Sequence, residues 1–141
     1  MKIFGMKILG DQNLGMFART TEEFCLVGNP VSEKNLHEIE DYLHVPAVKN
    51  SLANTELIGM FCVANSNGII LPKITLTREL QDLKIKLKKF DVNLYIAKSK
   101  FTTIGNLILC NDRGAVLSRF LPADEKKSVA DVLGVETEYG T

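Results

Sequence analysis

The sequence has no tryptophan, three cysteines, two histidines and no excess charge of either sign, and each scarcity removes a class of function. Seventeen basic residues balance seventeen acidic ones, so no broad positive field exists to hold nucleic acid through its phosphates. Docking onto a protein surface within a nucleoprotein particle stays open. No stretch reaches the roughly 20 apolar residues of a membrane-spanning helix. Met1-Lys2-Ile3-Phe4-Gly5 also lacks the apolar centre of a secretory signal, so a cytoplasmic protein is expected. Cys25, Cys62 and Cys110 stand in apolar runs with no C-x-x-C pair and read as small buried hydrophobes. His37 and His44 have no carboxylate or cysteine at ligand spacing and read as surface or partly packed residues; neither metal nor cofactor is expected.

What is present is 45% apolar and 24% charged, an ordinary globular balance over 141 residues, enough for one domain. The informative feature is internal repetition. Ile58-Gly59 ahead of Asn65-Ser66-Asn67-Gly68 recurs forty-six residues later as Ile104-Gly105 ahead of Asn111-Asp112-Arg113-Gly114. A fainter copy, Leu14-Gly15, stands forty-four residues before the first. A period of this length signifies a supersecondary unit that packs against its own copies.

Each unit reads as strand, strand, strand, helix. In the third, Val92–Ile96 alternates as a strand and Thr102–Cys110 is a β-rich run turned back by Asn111-Asp112-Arg113-Gly114 into Ala115-Val116-Leu117. The Asn side chain can hold its own backbone and Gly68 or Gly114 can take positive φ, which suits a type I turn with a bulge. Pro122 opens a helix that Gly134 stops. The second unit pairs Ile58–Ala64 with Ile69-Ile70-Leu71, then places Leu76, Leu80, Leu83, Leu87 and Phe90 on one face of a helix from about 76 to 89. Its lysines, Lys84, Lys86, Lys88 and Lys89, interleave with Glu79, Asp82 and Asp91 and read as a solvated face, not a phosphate patch. The first unit has strands Leu14–Ala18 and Phe24–Val27 and a helix capped by Ser32 that carries Leu36, Ile39 and Leu43. The expected divisions of a single repeat domain over 1–141 are 1–45, 46–91 and 92–134, with 135–141 opening a fourth unit. A repeat opened and not finished implies a truncation, the ordered part of something longer, or completion by another copy.

The ordered set Asn65-Ser66-Asn67-Gly68-Ile69-Ile70-Leu71-Pro72, Ile104-Gly105-Asn106-Leu107, Asn111-Asp112-Arg113-Gly114-Ala115-Val116 and Asp131-Val132-Leu133-Gly134-Val135-Glu136 closely resembles the translation initiation factor 6 family, its archaeal members especially. The resemblance runs from about Gly10 onward. It implies an α/β fold of the pentein type, a propeller of five such units, of which this chain would supply three blades and the start of the fourth. It also implies binding to the large ribosomal subunit on its intersubunit face, blocking premature joining of the small subunit, with no catalytic role and no cofactor. Arg119 stands where that family commonly has proline, and blades four and five are missing, so half of the ribosome-facing rim would be unbuilt.

The repeat itself ranks candidate residues. Asn106 follows the motif glycine where the other units place Met16 and Met60. Asn is a poor strand residue, so it either offers its amide to a partner or satisfies a neighbouring backbone; it also matches an Asn that the family uses in ribosome contact. Asn65 and Asn111 recur at one place, which favours a turn-forming role, although a hairpin tip can still be a contact. Arg113 is a cation on that tip, suited to a carboxylate or phosphate. Gly15, Gly59 and Gly105 would let neighbouring units approach closely. Two other readings compete. The pentein fold also hosts enzymes acting on guanidino compounds, which need a cysteine, a histidine and two acids to converge. A self-completing oligomer would pair open edges between chains.

Overall fold

A computed structural model describes residues 3–140. They form three separate three-stranded sheets of one plan. Sheet one contains β1 (Ala18–Thr20), β2 (Cys25–Gly28) and β3 (Ala47–Asn50); sheet two β4 (Val63–Ala64), β5 (Gly68–Leu71) and β6 (Asn93–Ile96); sheet three β7 (Ile108–Cys110), β8 (Gly114–Leu117) and β9 (Glu136–Tyr139). In each, an antiparallel hairpin is followed by a helix that returns the chain to a third strand parallel to the second. The crossover helix is what a parallel pairing requires. These helices are α2 (Glu33–Leu43), α4 (Thr77–Leu87) and α5 (Ala123–Leu133), 11 residues each.

The sheet pairing corrects two expectations. The order within a module is strand, strand, helix, strand, because the strand after each helix joins the sheet before it. Residues 136–139, expected to open a fourth unit, complete sheet three by pairing Gly114–Leu117. A repeat in sequence carries no phase, and only the parallel ladder sets where one module ends. The motif segments also differ from the strands expected there. Leu14–Phe17 (α1) and Ile58–Phe61 (α3) are single helical turns, and Ile104–Asn106 is a 3-10 turn. Their apolar residues, Leu14 and Phe17, Ile58 and Phe61, Ile104 and Leu107, fall three apart, the spacing of a turn.

Local chemistry accounts for the element ends. The Ser32 hydroxyl accepts the Asn35 N–H at 3.2 Å, capping α2. The residues that end the three helical segments, His44, Asp91 and Gly134, all adopt left-handed φ, 58°, 52° and 62°. Both Asn65 and Asn111 accept the N–H groups two and three residues on, fixing their turns. Neither Gly68 nor Gly114 has positive φ, and the ladder runs into the Asn65–Gly68 turn without a bulge. At Gly68 the reason for glycine is proximity: an added Cβ would sit 2.3 Å from the Val132 carbonyl of α5.

Helices α4 and α5 lie between sheets, and the cores follow. Leu83 and Leu87 of α4 pack with Phe24, Leu26 and Val48 of the first module and with Ile69 and Leu71 of the second. Val129 and Leu133 of α5 pack with Val63 and Ile70 behind and with Ala115 and Leu117 of their own sheet. Each such leucine contributes about 2 kcal/mol by leaving water. Helix α2 packs on Cys25 and Val27 of its own sheet, with Ile8 beside it.

Two buried carboxylates tie the modules further. Glu79 (3% exposed) accepts its own helix's Leu76 N–H at 3.0 Å, one half of a capping box whose other half a leucine cannot supply. It also accepts Ala53 N–H at 2.9 Å, Asn54 N–H at 2.8 Å and the Ser51 hydroxyl at 3.0 Å, from the loop leaving sheet one. Glu125, forty-six residues on and 1% exposed, accepts the Lys98 N–H from the loop leaving sheet two.

Candidate functional site

The inner strands β1, β4 and β7 stand side by side, each with a helical turn at its start and a hairpin turn at its end. At the start, the turns stack through their glycines. A Cβ on Gly59 would fall 1.7 Å from the Gly15 carbonyl, and one on Gly105 would fall 2.3 Å from the Gly59 carbonyl. Only glycine permits that approach. Gly15 has no atom within 4 Å in the corresponding direction. Asn106 sits on the last of these turns, exposed, and its side-chain amide makes no hydrogen bond among the described residues; only its backbone is used, donating to the Thr103 carbonyl. The counterparts Met16 and Met60 are half-buried.

Beside Asn106 opens a cleft of about 520 Å³ that Arg19, Arg119, Leu109, Val116 and Phe120 help to line. Among the described residues no carboxylate lines it, and its polar side chains are one amide, one hydroxyl and two guanidinium groups among apolar walls. Arg119 donates to the Gly140 carbonyl at 3.0 Å, bracing the exit of β8 against the end of β9. Arg19 donates to the Gly59 carbonyl at 2.6 Å, while its Nε is buried without a partner. Such a surface can receive carbonyl or carboxylate groups from a protein partner.

At the other end of the inner strands the structure gives the asparagine candidates different places. Asn65 is 1% exposed and fully used: its amide donates to the Leu133 carbonyl at 2.8 Å and the Asn111 carbonyl at 3.2 Å, and its oxygen accepts two backbone N–H groups. It fastens the second module to the third and leaves nothing for a partner. Asn111 is exposed, with its oxygen engaged in the turn and its NH2 group free among the described residues. Arg113 lies exposed on the same tip. Ser66 donates to Asp112 through its N–H at 2.8 Å and its hydroxyl at 2.7 Å, joining the two tips. Asn106 is thus separated from Asn111 and Arg113 by the length of β7.

The cysteines are buried or half-buried, yet they gather. Burial pushes the Cys62 thiol up to about 12, with Arg19, Cys110 and Cys25 all within electrostatic reach. Burial raises Cys110 to about 11 and also raises Cys25, whose Sγ accepts from the Thr20 hydroxyl. Their sequence positions are not equivalent within the unit, so this convergence had no signal in the spacing. His37 is exposed on α2, 3.8 Å from Glu40, and His44 is exposed just beyond it. The lysines of α4 behave as expected of a solvated face: Lys84, Lys88 and Lys89 are exposed, and Lys86 pairs with Asp82. Glu79, read from the sequence as part of that solvated face, is instead buried at 3% exposure, and Glu125 was passed over; their recurrence at the repeat spacing was the available signal.

Fold and site together define a modular α/β protein whose small sheets are locked face to face and whose open ends display hydrogen-bond donors. The eIF-6 family model matches residues 3–141, and the chain belongs to that family. Translation initiation factor 6 of Staphylothermus marinus is 37% identical over 139 residues, covering 99% of this chain and 61% of that protein. The factor of Methanocaldococcus jannaschii is 40% identical over 134 residues, 94% of this chain and 58% of that one. That of Methanococcus maripaludis strain S2 is 38% identical over 133 residues, 93% and 58%. The chain therefore spans about three fifths of the length of the curated relatives it matches.

Proposed function

We propose that the chain binds the large ribosomal subunit on its intersubunit face and so keeps the small subunit from joining prematurely, acting in the cytoplasm in translation initiation and ribosome biogenesis. Family membership and the name its relatives carry support this reading. In it the three modules are blades of a pentein-type propeller, and the occupied surface does the work without a bond being made or broken. No helix among the described residues is long and apolar enough to cross a membrane.

The observation that carries the proposal is Asn106. An exposed amide without a protein partner stands where two sibling modules place half-buried methionine, and it borders a cleft that no acid among the described residues lines. An exposed amide is solvated in the free protein and keeps its donors and its acceptor available to a partner. Arg113 and the free NH2 of Asn111 form a second, peripheral contact, while Asn65 serves the fold. The guanidine-hydrolase alternative requires cysteine and histidine to meet, whereas here the thiols are held protonated by burial and both histidines are exposed at α2 and its end.

Gradient sedimentation with purified subunits tests the reading. The chain should co-migrate with the large subunit, and Asn106→Ala should weaken that binding roughly tenfold, the worth of about 1.4 kcal/mol, while thermal unfolding stays within a degree or so. Co-migration with the small subunit alone, or with neither, refutes the proposal.

A further inference from the structure

Resting on the reading that Asn106 meets the large ribosomal subunit, we propose that Arg19 is a positioning residue for that contact. From the first module it fixes the turn of the second on which the turn of the third, and Asn106 with it, is seated.

Two side chains break the repeat, and they are joined through one oxygen. The sheet registers make Arg19, Val63 and Leu109 equivalent, since they face Leu26, Ile70 and Val116 across their hairpins. Arg19 stands in the first module where the others have hydrocarbon, as Asn106 stands in the third where the others have methionine. The Arg19 guanidinium reaches out of its own sheet and donates at 2.6 Å to the carbonyl of Gly59 in α3. That carbonyl is also the one nearest Gly105. A Cβ on Gly105 would fall 2.3 Å from the Gly59 oxygen, 2.8 Å from that of Met60 and 2.9 Å from that of Cys62. Gly105 is thus set into a cradle of three oxygens from one turn, and Asn106 is the next residue.

Three carbonyl oxygens aimed at one small space repel one another, and a single helical turn has few donors to satisfy them. A cation on the nearest of them offsets that repulsion and fixes its direction, through a bond stronger than one between neutral groups. Arginine suits the task because its planar fork is pre-organised and stays charged. Among the described residues it makes no ion pair with a carboxylate, so its charge is met by backbone oxygen. Such a cation is a costly way to fill a half-buried position that valine fills in the second module. What it adds is a fixed seat for the Gly105 turn. Arg19, Gly105 and Asn106 line one cleft, so any shift of the cradle arises beside the contact itself.

A double-mutant cycle on binding to purified large subunits, together with nitrogen-15 NMR of the unbound chain, tests the role of Arg19. Arg19→Met keeps a long apolar stem and removes the charge. It should weaken binding roughly fivefold. Arg19→Lys, which keeps a cation within reach of Gly59, should restore affinity to within about twofold of wild type. In an Asn106→Ala background Arg19→Met should cause no further loss, because no amide is left to aim. A purely structural arginine would give the same loss in both backgrounds. In the unbound chain the Asn106 side-chain and backbone signals should move in Arg19→Met and return in Arg19→Lys, while those of Asn111, at the far end of β7, stay in place. Additive losses, or Asn106 signals that do not move, overturn the positioning role whatever wild-type binding shows. A wild-type chain that fails to bind the large subunit, with Asn106 signals that still move, instead refutes the reading of Asn106 and takes the positioning role with it.

Discussion

Replacing Glu79 by glutamine removes a charge from a place where water cannot help. The carboxylate is 3% exposed and meets four donors: three backbone N–H groups and one hydroxyl. Glutamine keeps one oxygen, able to accept two of them, and turns an NH2 group toward the rest. Weakening the bond that caps the helix costs about 1 kcal/mol. Leaving at least one buried donor unmet adds about 1–3 kcal/mol. A total near 3 kcal/mol corresponds to a Tm lower by roughly 10 °C for a domain of this size. Acid should reveal the same group. Burial opposes its ionisation, but the bonds from Asn54, Leu76, Ala53 and Ser51 outweigh that and hold its pKa below the ordinary 4.5. A carboxyl whose folded pKa is depressed contributes stability that is full above the unfolded value and fades as pH falls through the folded one. Wild-type protein should therefore lose stability more steeply than Glu79→Gln below about pH 4.5, and the two urea curves should converge in acid. Amide exchange at Ala53 and Asn54 should quicken in the variant. Equal melting at neutral pH, or parallel curves through acid, would refute the role given to this side chain.

Other substitutions separate positions that look alike in sequence. Gly59→Ala places a methyl 1.7 Å from a backbone carbonyl and should cost about 3 kcal/mol or more, whereas Gly15→Ala should leave dilute-solution urea unfolding unchanged. Asn65→Ala strands four partners, two of them in buried bonds, and should cost about 3 kcal/mol, while Asn111→Ala, exposed and holding only its own turn, should cost about 1 kcal/mol; thermal unfolding distinguishes them. With thiol values near 12 for Cys62 and 11 for Cys110, native protein at mildly alkaline pH should react slowly with a disulfide reagent and release its thiols only on unfolding. Prompt labelling of all three would contradict their burial.

The repeat made much of this visible in advance. Residues that recur for backbone reasons, such as Asn65 with Asn111 or Gly59 with Gly105, announce a turn or a close approach, and the helix stripe of Leu83, Leu87 and Phe90 announces its own face. What stayed hidden depends on relations between units. Ile58-Gly59-Met60-Phe61 is as compatible with a strand as with a turn until the neighbouring carbonyl demands a glycine at 1.7 Å. The phase of the module is set by parallel ladders such as Gly68 with Asn93, and pairing of distant strands leaves no mark in either sequence. The cysteines come within electrostatic reach of one another from three non-equivalent positions of the unit, which spacing cannot express.

That difference has an energetic meaning. A three-stranded sheet with strands of two to four residues is marginal alone, and here the buried side chains belong less to modules than to the joints between them. Ile70 is covalently part of the second module, but it is buried by the helix of the third; Leu26 stands in the same relation to the second. Trimming Ile70 should thus loosen both neighbours together, since the helix it supports is held between this sheet and its own. A row held in this way is cooperative, because the second and third modules are each closed by side chains of a neighbour.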